Sequence, residues 1–269
     1  MHEPDGYAVA PGSADSPVLL HVPHSSRVIP SGVRQGILLS DKELNRELAL
    51  MTDAHTDLIA GRAADAAANR PWLFVNQLSR LVVDPERFPD EREEMRRVGM
   101  GAVYTRTSHG APLRRDDDAA TEQALLQTWF VPYADAFADL VDARLAANGQ
   151  ATIIDVHSYP STRLPYEVGG EARPAVCLGT HPVHTPAWLL AAAQVAFAPC
   201  GEVGENTPFE GCYVPLRHFG RDARVSALMV EIRRDTYMTE PGGPPTGGLA
   251  TISQCLVSLI NAVTHNPGR

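Results

Sequence analysis

The sequence predicts an α/β fold, a single-domain three-layer sandwich with a mainly parallel, mixed central sheet. Three observations carry this. Short, wholly apolar runs recur along the chain, the pattern of strands buried on both faces. Stretches of helical periodicity alternate with those runs. The 269 residues admit one large domain or two small ones, and neither a repeat nor a linker divides them.

The elements follow in order. Residues 1–16, rich in Pro, Gly and Ser, read as a flexible lead-in, with the domain proper over 17–265. PVLLHV (17–22) is a buried strand bounded by proline and followed by the polar loop Pro23-His24-Ser25-Ser26. Ser40 and Glu43 have capping-box spacing and open a helix carrying Leu44, Leu48 and Met51. A second, Ala-rich helix is expected over about 53–68. WLFV (72–75) and RLVV (80–83) read as strands. Residues 85–118 are charged and irregular, and a loop this long is more often functional than decorative.

The longest helical pattern runs over 119–147 and stops at Asn148-Gly149. ATIIDV (151–156) is a buried strand followed by the polar His157-Ser158-Tyr159-Pro160. PAVCLG (174–179), YVPLR (213–217) and ALMVEIRR (227–234) are further strands, with a helix over 185–198. A last helix follows the Gly/Pro-rich turn at 241–248 and ends near 265. In open sheets of this kind ligands bind beyond the carboxyl ends of the strands. The loops after Val22, Val83 and Val156 are therefore the first places to look.

Composition excludes several classes of function. There are 32 acidic and 23 basic side chains, a formal charge of −9, which repels phosphate backbones and anionic membrane surfaces. No apolar run approaches the roughly 20 residues of a membrane span, and the N-terminus lacks the basic start and apolar stretch of a secretory signal. Cys177, Cys200, Cys212 and Cys255 are scattered, with no CxxC pair. They read as reduced thiols of a cytoplasmic protein. A homo-oligomer is left open.

The polar residues at strand ends are the ones that carry chemistry. His24 and His157 each lie just beyond a buried strand, and two such histidines would point into one crevice. Asp155 stands two residues before His157. The run Asp53-Ala54-His55-Thr56-Asp57 offers three more ligands, with Asp53 and Asp57 on one face if the segment is helical. His24, Asp53 and His157 could supply the three protein ligands of a hydrolytic zinc site, which keeps a fourth position for water. Glu231 lies between Val230 and Ile232 in an apolar strand. A carboxylate there is costly unless paired or beside a metal, and it is the candidate general base. Arg80 and Arg87 flank RLVVDP, and Arg suits paired hydrogen bonds to a carboxylate. No GxSxG elbow and no P-loop occur.

In order, HVPHSS, DAHTD, SRLVVDPERFP, IIDVHSYPS, NTPFEGCYVPLRHFG and MVEIRRDTYM resemble the N-formylglutamate amidohydrolase family over about 18–238. The resemblance implies a zinc-carboxypeptidase-like domain that hydrolyses the amide of an N-acyl amino acid bearing a free carboxylate, such as N-formylglutamate. It implies His24 and His157 as zinc ligands and Glu231 as the catalytic glutamate. Asp53 fits best as the acidic ligand, with His55 and Asp57 as alternatives. Arg80 and Arg87 fall in a segment that binds the substrate carboxylate in related acylases. Asn206 and Arg163 are expected on loops near the same crevice as further substrate contacts. The match departs at Ser26, where Gly is expected, and in Asp84-Pro85-Glu86-Arg87, which lacks the Asn of a D-x-N-R stretch. A carboxypeptidase-like enzyme, another N-acyl-amino-acid hydrolase and a non-catalytic ligand-binding homologue are the alternatives.

Overall fold

A computed structural model describes residues 6–116, 118–167 and 172–264. Seven strands form one sheet in the order β1-β3-β2-β4-β7-β5-β6. They are β1 (Tyr7–Ala10), β2 (Val18–Val22), β3 (Trp72–Asn76), β4 (Ala151–Tyr159), β5 (Val176–Gly179), β6 (Val203–Glu205) and β7 (Val225–Arg233). The contacts β3–β2, β2–β4, β4–β7 and β5–β6 are parallel, and β1–β3 and β5–β7 antiparallel. The sheet is thus mixed and mainly parallel, as predicted. The helices are α1 (Ser31–Arg34), α2 (Asp41–Met51), α3 (Thr56–Ala66), α4 (Ala119–Leu125), α5 (Val131–Asn148), α6 (Ala187–Phe197) and α7 (Gly248–Thr264).

Strand side chains alternate between faces, and that alternation divides the molecule. Leu20, Val22, Ile154, Val156, Leu228, Val230 and Ile232 point one way and pack against α3, α6 and α7. Leu19, Ile153, Ala227 and Phe74 point the other way, onto Phe137, Val141 and Leu145 of α5. These are the two buried interfaces of a three-layer sandwich. α2 packs through Leu44, Leu48 and Met51 against Leu81, Met100, Tyr104 and Leu113 of the long irregular segment. Ser40 caps α2 in the expected reciprocal manner with Glu43. Among the described residues, no helix is long and apolar enough to cross a membrane.

Several elements differ from expectation. Tyr7–Ala10, inside the expected lead-in, pairs with β3 as an edge strand, and Tyr7 stacks on Phe74 at 5.0 Å. RLVV forms turns instead of a strand: Val82 N–H bonds to Ser79 and Asp84 N–H to Ala102. Its apolar side chains serve two separate clusters, a burial that a short apolar run does not distinguish from a strand. YVPLR is also irregular. Pro215 cannot donate to a sheet ladder, and its carbonyl instead caps a turn at His218 and Phe219. The long helix pattern is broken into α4, a wide π-turn at Leu126–Phe130 and α5. Pro132 has no N–H to give to the preceding turn, which is where such bulges arise. α3 begins at Thr56, because His55 sits at φ 70°, so Asp53 is not on a helix. The predicted end of α7 at His265 lies outside the described residues.

Ile154 is completely buried between β4 and the α3/α7 layer. Ile154→Ala is expected to lower the unfolding free energy by about 2–5 kcal/mol. Val195→Ala, at a position 78% exposed, should change it by less than about 0.5 kcal/mol. Urea denaturation of both variants checks this.

Candidate active site

The register of the central strands places the polar groups. Asp155 and His157, two apart on β4, share the face opposite Ile154 and Val156. His157 is directly opposite Glu231 of β7, and Glu231 is opposite Cys177 of β5. β4 does not end at Val156 but continues through Tyr159, so His157 is held by the sheet instead of by a loop. His24 follows two residues after β2. Asp53 lies just beyond α2, and its N–H donates to the carbonyl of His24 at 3.0 Å. That bond ties the two loops together.

Three ligand atoms converge as a result. His24 Nδ1 is 3.3 Å from His157 Nδ1, His157 Nδ1 is 3.2 Å from Asp53 Oδ2, and His24 Nδ1 is 3.8 Å from Asp53 Oδ2. All three residues are buried. Donors held about 2.0–2.1 Å from a tetrahedral ion stand roughly 3.3–3.4 Å apart, so the set fits a zinc-like cation. The far nitrogens are braced too. His24 Nε2 donates to Asp84 Oδ1 at 2.9 Å, and His157 Nε2 faces Asp155 Oδ2 at 3.1 Å and Glu86 Oε2 at 3.2 Å. Carboxylates behind metal-binding histidines fix the ring and leave the inner lone pair directed at the centre.

The acids differ in state, and the causes are local. Burial works against the Asp53 anion, yet hydrogen bonds from His157 and His24 and the charge of Arg234 hold its carboxyl well below the usual range. Arg234 Nη2 reaches Asp53 Oδ1 at 2.9 Å. Burial likewise opposes the Asp84 anion, and Arg80 and His24 outweigh it. Arg80 holds Asp84 through Nη2 at 2.6 Å and Nε at 3.2 Å, and Tyr104 adds a hydroxyl at 2.6 Å. Glu231 is the opposite case. Burial pushes its carboxyl up to about 7, and Oε2 is buried with no hydrogen-bond partner among the described residues. An unpartnered buried carboxyl is unfavourable for folding and well suited to proton transfer near neutrality.

These groups line a cavity of about 680 Å³. Its wall includes His24, Asp53, His157, Glu231, Arg80 and Arg87. Other predicted residues lie elsewhere. His55 bonds to the carbonyl of Gly243, and Asp57 is exposed on the first turn of α3. Asn206 uses its carboxamide on the N–H and hydroxyl of Thr180, and Arg163 is exposed and bonds to the carbonyl of Glu167. The structure brings neither Asn206 nor Arg163 to the cavity. Arg234 and Glu86 escaped sequence reasoning. The available signals were a second arginine in the apolar run MVEIRR and a carboxylate next to Arg87.

The sequence profile of the N-formylglutamate amidohydrolase family matches residues 16–238. This chain belongs to that family. The amidohydrolase is therefore a hydrolase acting on amides. Its fold is similar to that of the crystal structure of N-formylglutamate amidohydrolase from Ralstonia eutropha JMP134, with a TM-score of 0.80 at 20% identity, covering 96% of each chain. It is also similar to a gene product of Agrobacterium tumefaciens, with a TM-score of 0.71 at 21% identity, covering 97% of this chain and 95% of that one. Comparison with the curated proteins finds none that matches.

His24→Ala and His157→Ala are each expected to reduce zinc retained after dialysis to below one-tenth of the unsubstituted level. His55→Ala and Asp57→Asn should leave it unchanged. Elemental analysis of the four purified variants reads the difference.

Proposed function

We propose that this amidohydrolase cleaves the amide bond of an N-acyl amino acid with a free carboxylate, of the N-formylglutamate kind. It releases the carboxylic acid and the free amino acid. The observation that carries the reading is Glu231: a buried carboxyl whose Oε2 has no hydrogen-bond partner among the described residues, register-paired with His157 of the ligand trio. A non-catalytic binder has no use for such a group beside a cation site.

His24, Asp53 and His157 would hold the metal, and zinc suits two imidazoles and one carboxylate. Bound there, zinc supplies a Lewis acid and makes a water more acidic. Glu231 takes the proton from the attacking water and delivers it to the amide nitrogen as the carbon–nitrogen bond breaks. Asp84, Asp155 and Glu86 keep the histidines oriented throughout.

The two arginines divide the remaining work. Arg80 is occupied by Asp84 and Tyr104, and its role is to brace His24 through Asp84. Arg87 is 28% exposed, and its ion pairs among the described residues are long, 3.5 Å to Glu93 and 3.8 Å to Asp84. It is the guanidinium available to grip a substrate carboxylate through paired bonds and so position the amide. The cavity is roomy, so acyl groups larger than formyl are a second reading. Rates on N-formyl, N-acetyl and dipeptide substrates, each with a terminal carboxylate, separate the two.

Glu231→Gln is expected to keep bound zinc and lower kcat by about 10²–10⁴-fold, the usual contribution of a general acid–base. Turnover within twofold of the parent would remove Glu231 from the mechanism. Arg87→Ala should reduce kcat/KM by about 10–150-fold, the loss of roughly 1.5–3 kcal/mol for a charged hydrogen bond, mostly as a higher KM.

The pH dependence has a defined sign. Glu231 acts as the anion, and its carboxyl is raised to about 7; a neighbouring cation draws it down from there. Activity must rise with pH through this titration, with a midpoint at or below about 7. A kcat/KM that falls between pH 5 and 7 contradicts the assignment.

A further inference from the structure

His21 lies below the active site and takes no part in the chemistry described so far. It is fully buried in the middle of β2, a histidine in an otherwise apolar strand. Two aromatic rings stack on it, and both of its ring nitrogens are engaged. Phe137 stacks on it at 4.5 Å with the planes 21° apart, and Tyr213 at 4.8 Å and 23°. Nε2 is 2.6 Å from the hydroxyl of Tyr133 on α5. Nδ1 is 2.8 Å from Oδ1 of Asp155, its direct cross-strand partner on β4. The other oxygen of Asp155 faces His157 Nε2 at 3.1 Å.

Two carboxylates compete for the single proton on His157 Nε2. Glu86 is at 3.2 Å and Asp155 at 3.1 Å, so distance alone does not choose between them. Whichever carboxylate holds that proton sets how the His157 ring is turned. His21 discriminates: its Nδ1 is 2.8 Å from Asp155 and 3.5 Å from Glu86. A donor that occupies one oxygen of Asp155 fixes that carboxylate in the plane that receives His157 on the other. Tyr133, donating to Nε2, keeps the His21 proton on Nδ1, where Asp155 needs it.

We propose that His21 is a positioning residue: through Asp155, with Tyr133 behind it, it aims the inner nitrogen of His157 at the cation site. The inference rests on the reading of His24, Asp53 and His157 as that site. The two histidines of the trio are then supported differently. His24 is backed by Asp84 under the cation Arg80, whereas His157 is backed by Asp155 under an imidazole.

The test is zinc affinity by chelator competition, with zinc stoichiometry and thermal melting on the same samples. His21→Phe keeps the aromatic stack and removes both hydrogen bonds. It is expected to weaken zinc binding by about 10–100-fold, as removal of an outer-shell partner does. His21→Asn, which restores an N–H toward Asp155, should recover at least part of that loss. Tyr133→Phe should weaken binding by a smaller factor. Val18→Ala, equally buried on the same strand, should lower the melting temperature while leaving zinc affinity within twofold. That control separates positioning from mere loss of stability. In the zinc-loaded protein, the His157 Nε2 proton should exchange slowly by NMR and become faster in His21→Phe.

Zinc affinity unchanged in His21→Phe, or lowered equally by Val18→Ala, overturns the proposal. Two zinc ions per chain, with the second lost in His21→Phe, also overturns it, because His21, Glu86 and Asp155 would then be ligands themselves. If the unsubstituted protein binds no zinc, the reading of the trio fails first, and its failure is distinguishable from that of His21.

Discussion

Everything at the active site depends on the register of three adjacent parallel strands, β2, β4 and β7. Side chains two apart on a strand share a face, and cross-strand partners face each other. Fixing His21 opposite Asp155 and His157 opposite Glu231 therefore gathers four ionisable groups from three distant segments. The same register sends Leu20, Ile154, Val156 and Val230 to the opposite face and into the main core. A slip of one residue would bury the histidines among leucines and expose valines to the cavity. The hydrophobic effect that aligns the core face thus aligns the chemistry on the other face as well.

That other face carries an unusual density of buried charge. Most of it is compensated in pairs: Arg80 with Asp84, Arg234 with Asp53, His157 with Asp155 and Glu86. Such pairs add little net stability, since desolvation offsets attraction, but removing one member leaves its partner stranded. Their value here is geometric. Each inner group is held by an outer one: Asp84 is held in turn by Tyr104, Asp155 by His21 and Arg234 by backbone carbonyls. Glu231 is the exception: its Oε2 is buried with no hydrogen-bond partner among the described residues.

Much of this was readable in the sequence. Apolar strands alternating with helices led to the α/β sheet, and the rule that sites form beyond strand ends led to His24 and His157. Asp53 was named among three alternatives. Only the backbone bond from Asp53 to His24, together with the left-handed turn at His55, separates it from its neighbours. Other features were not readable. RLVV and YVPLR have the composition of strands, but a turn at Ser79 and the proline at 215 decide otherwise. Asn206 opens the motif segment NTPFEG and Arg163 follows DVHSYPS by two residues, yet local hydrogen bonds turn them to Thr180 and to the carbonyl of Glu167. The roles of His21, Arg234 and Tyr133 depend on which strands become neighbours, a property that no local pattern encodes.

The strand order has a consequence for synthesis on the ribosome. β7 is the last strand in the chain, yet it occupies the interior of the sheet between β4 and β5. Until residues 225–233 emerge, the nine buried residues of β4 present an open edge, and β5 and β6 have no sheet to join. An apolar edge left open during translation is a template for unwanted pairing. A nascent chain halted before β7 therefore carries all three candidate ligands but lacks the strand that walls the cavity beside them and Glu231 with it.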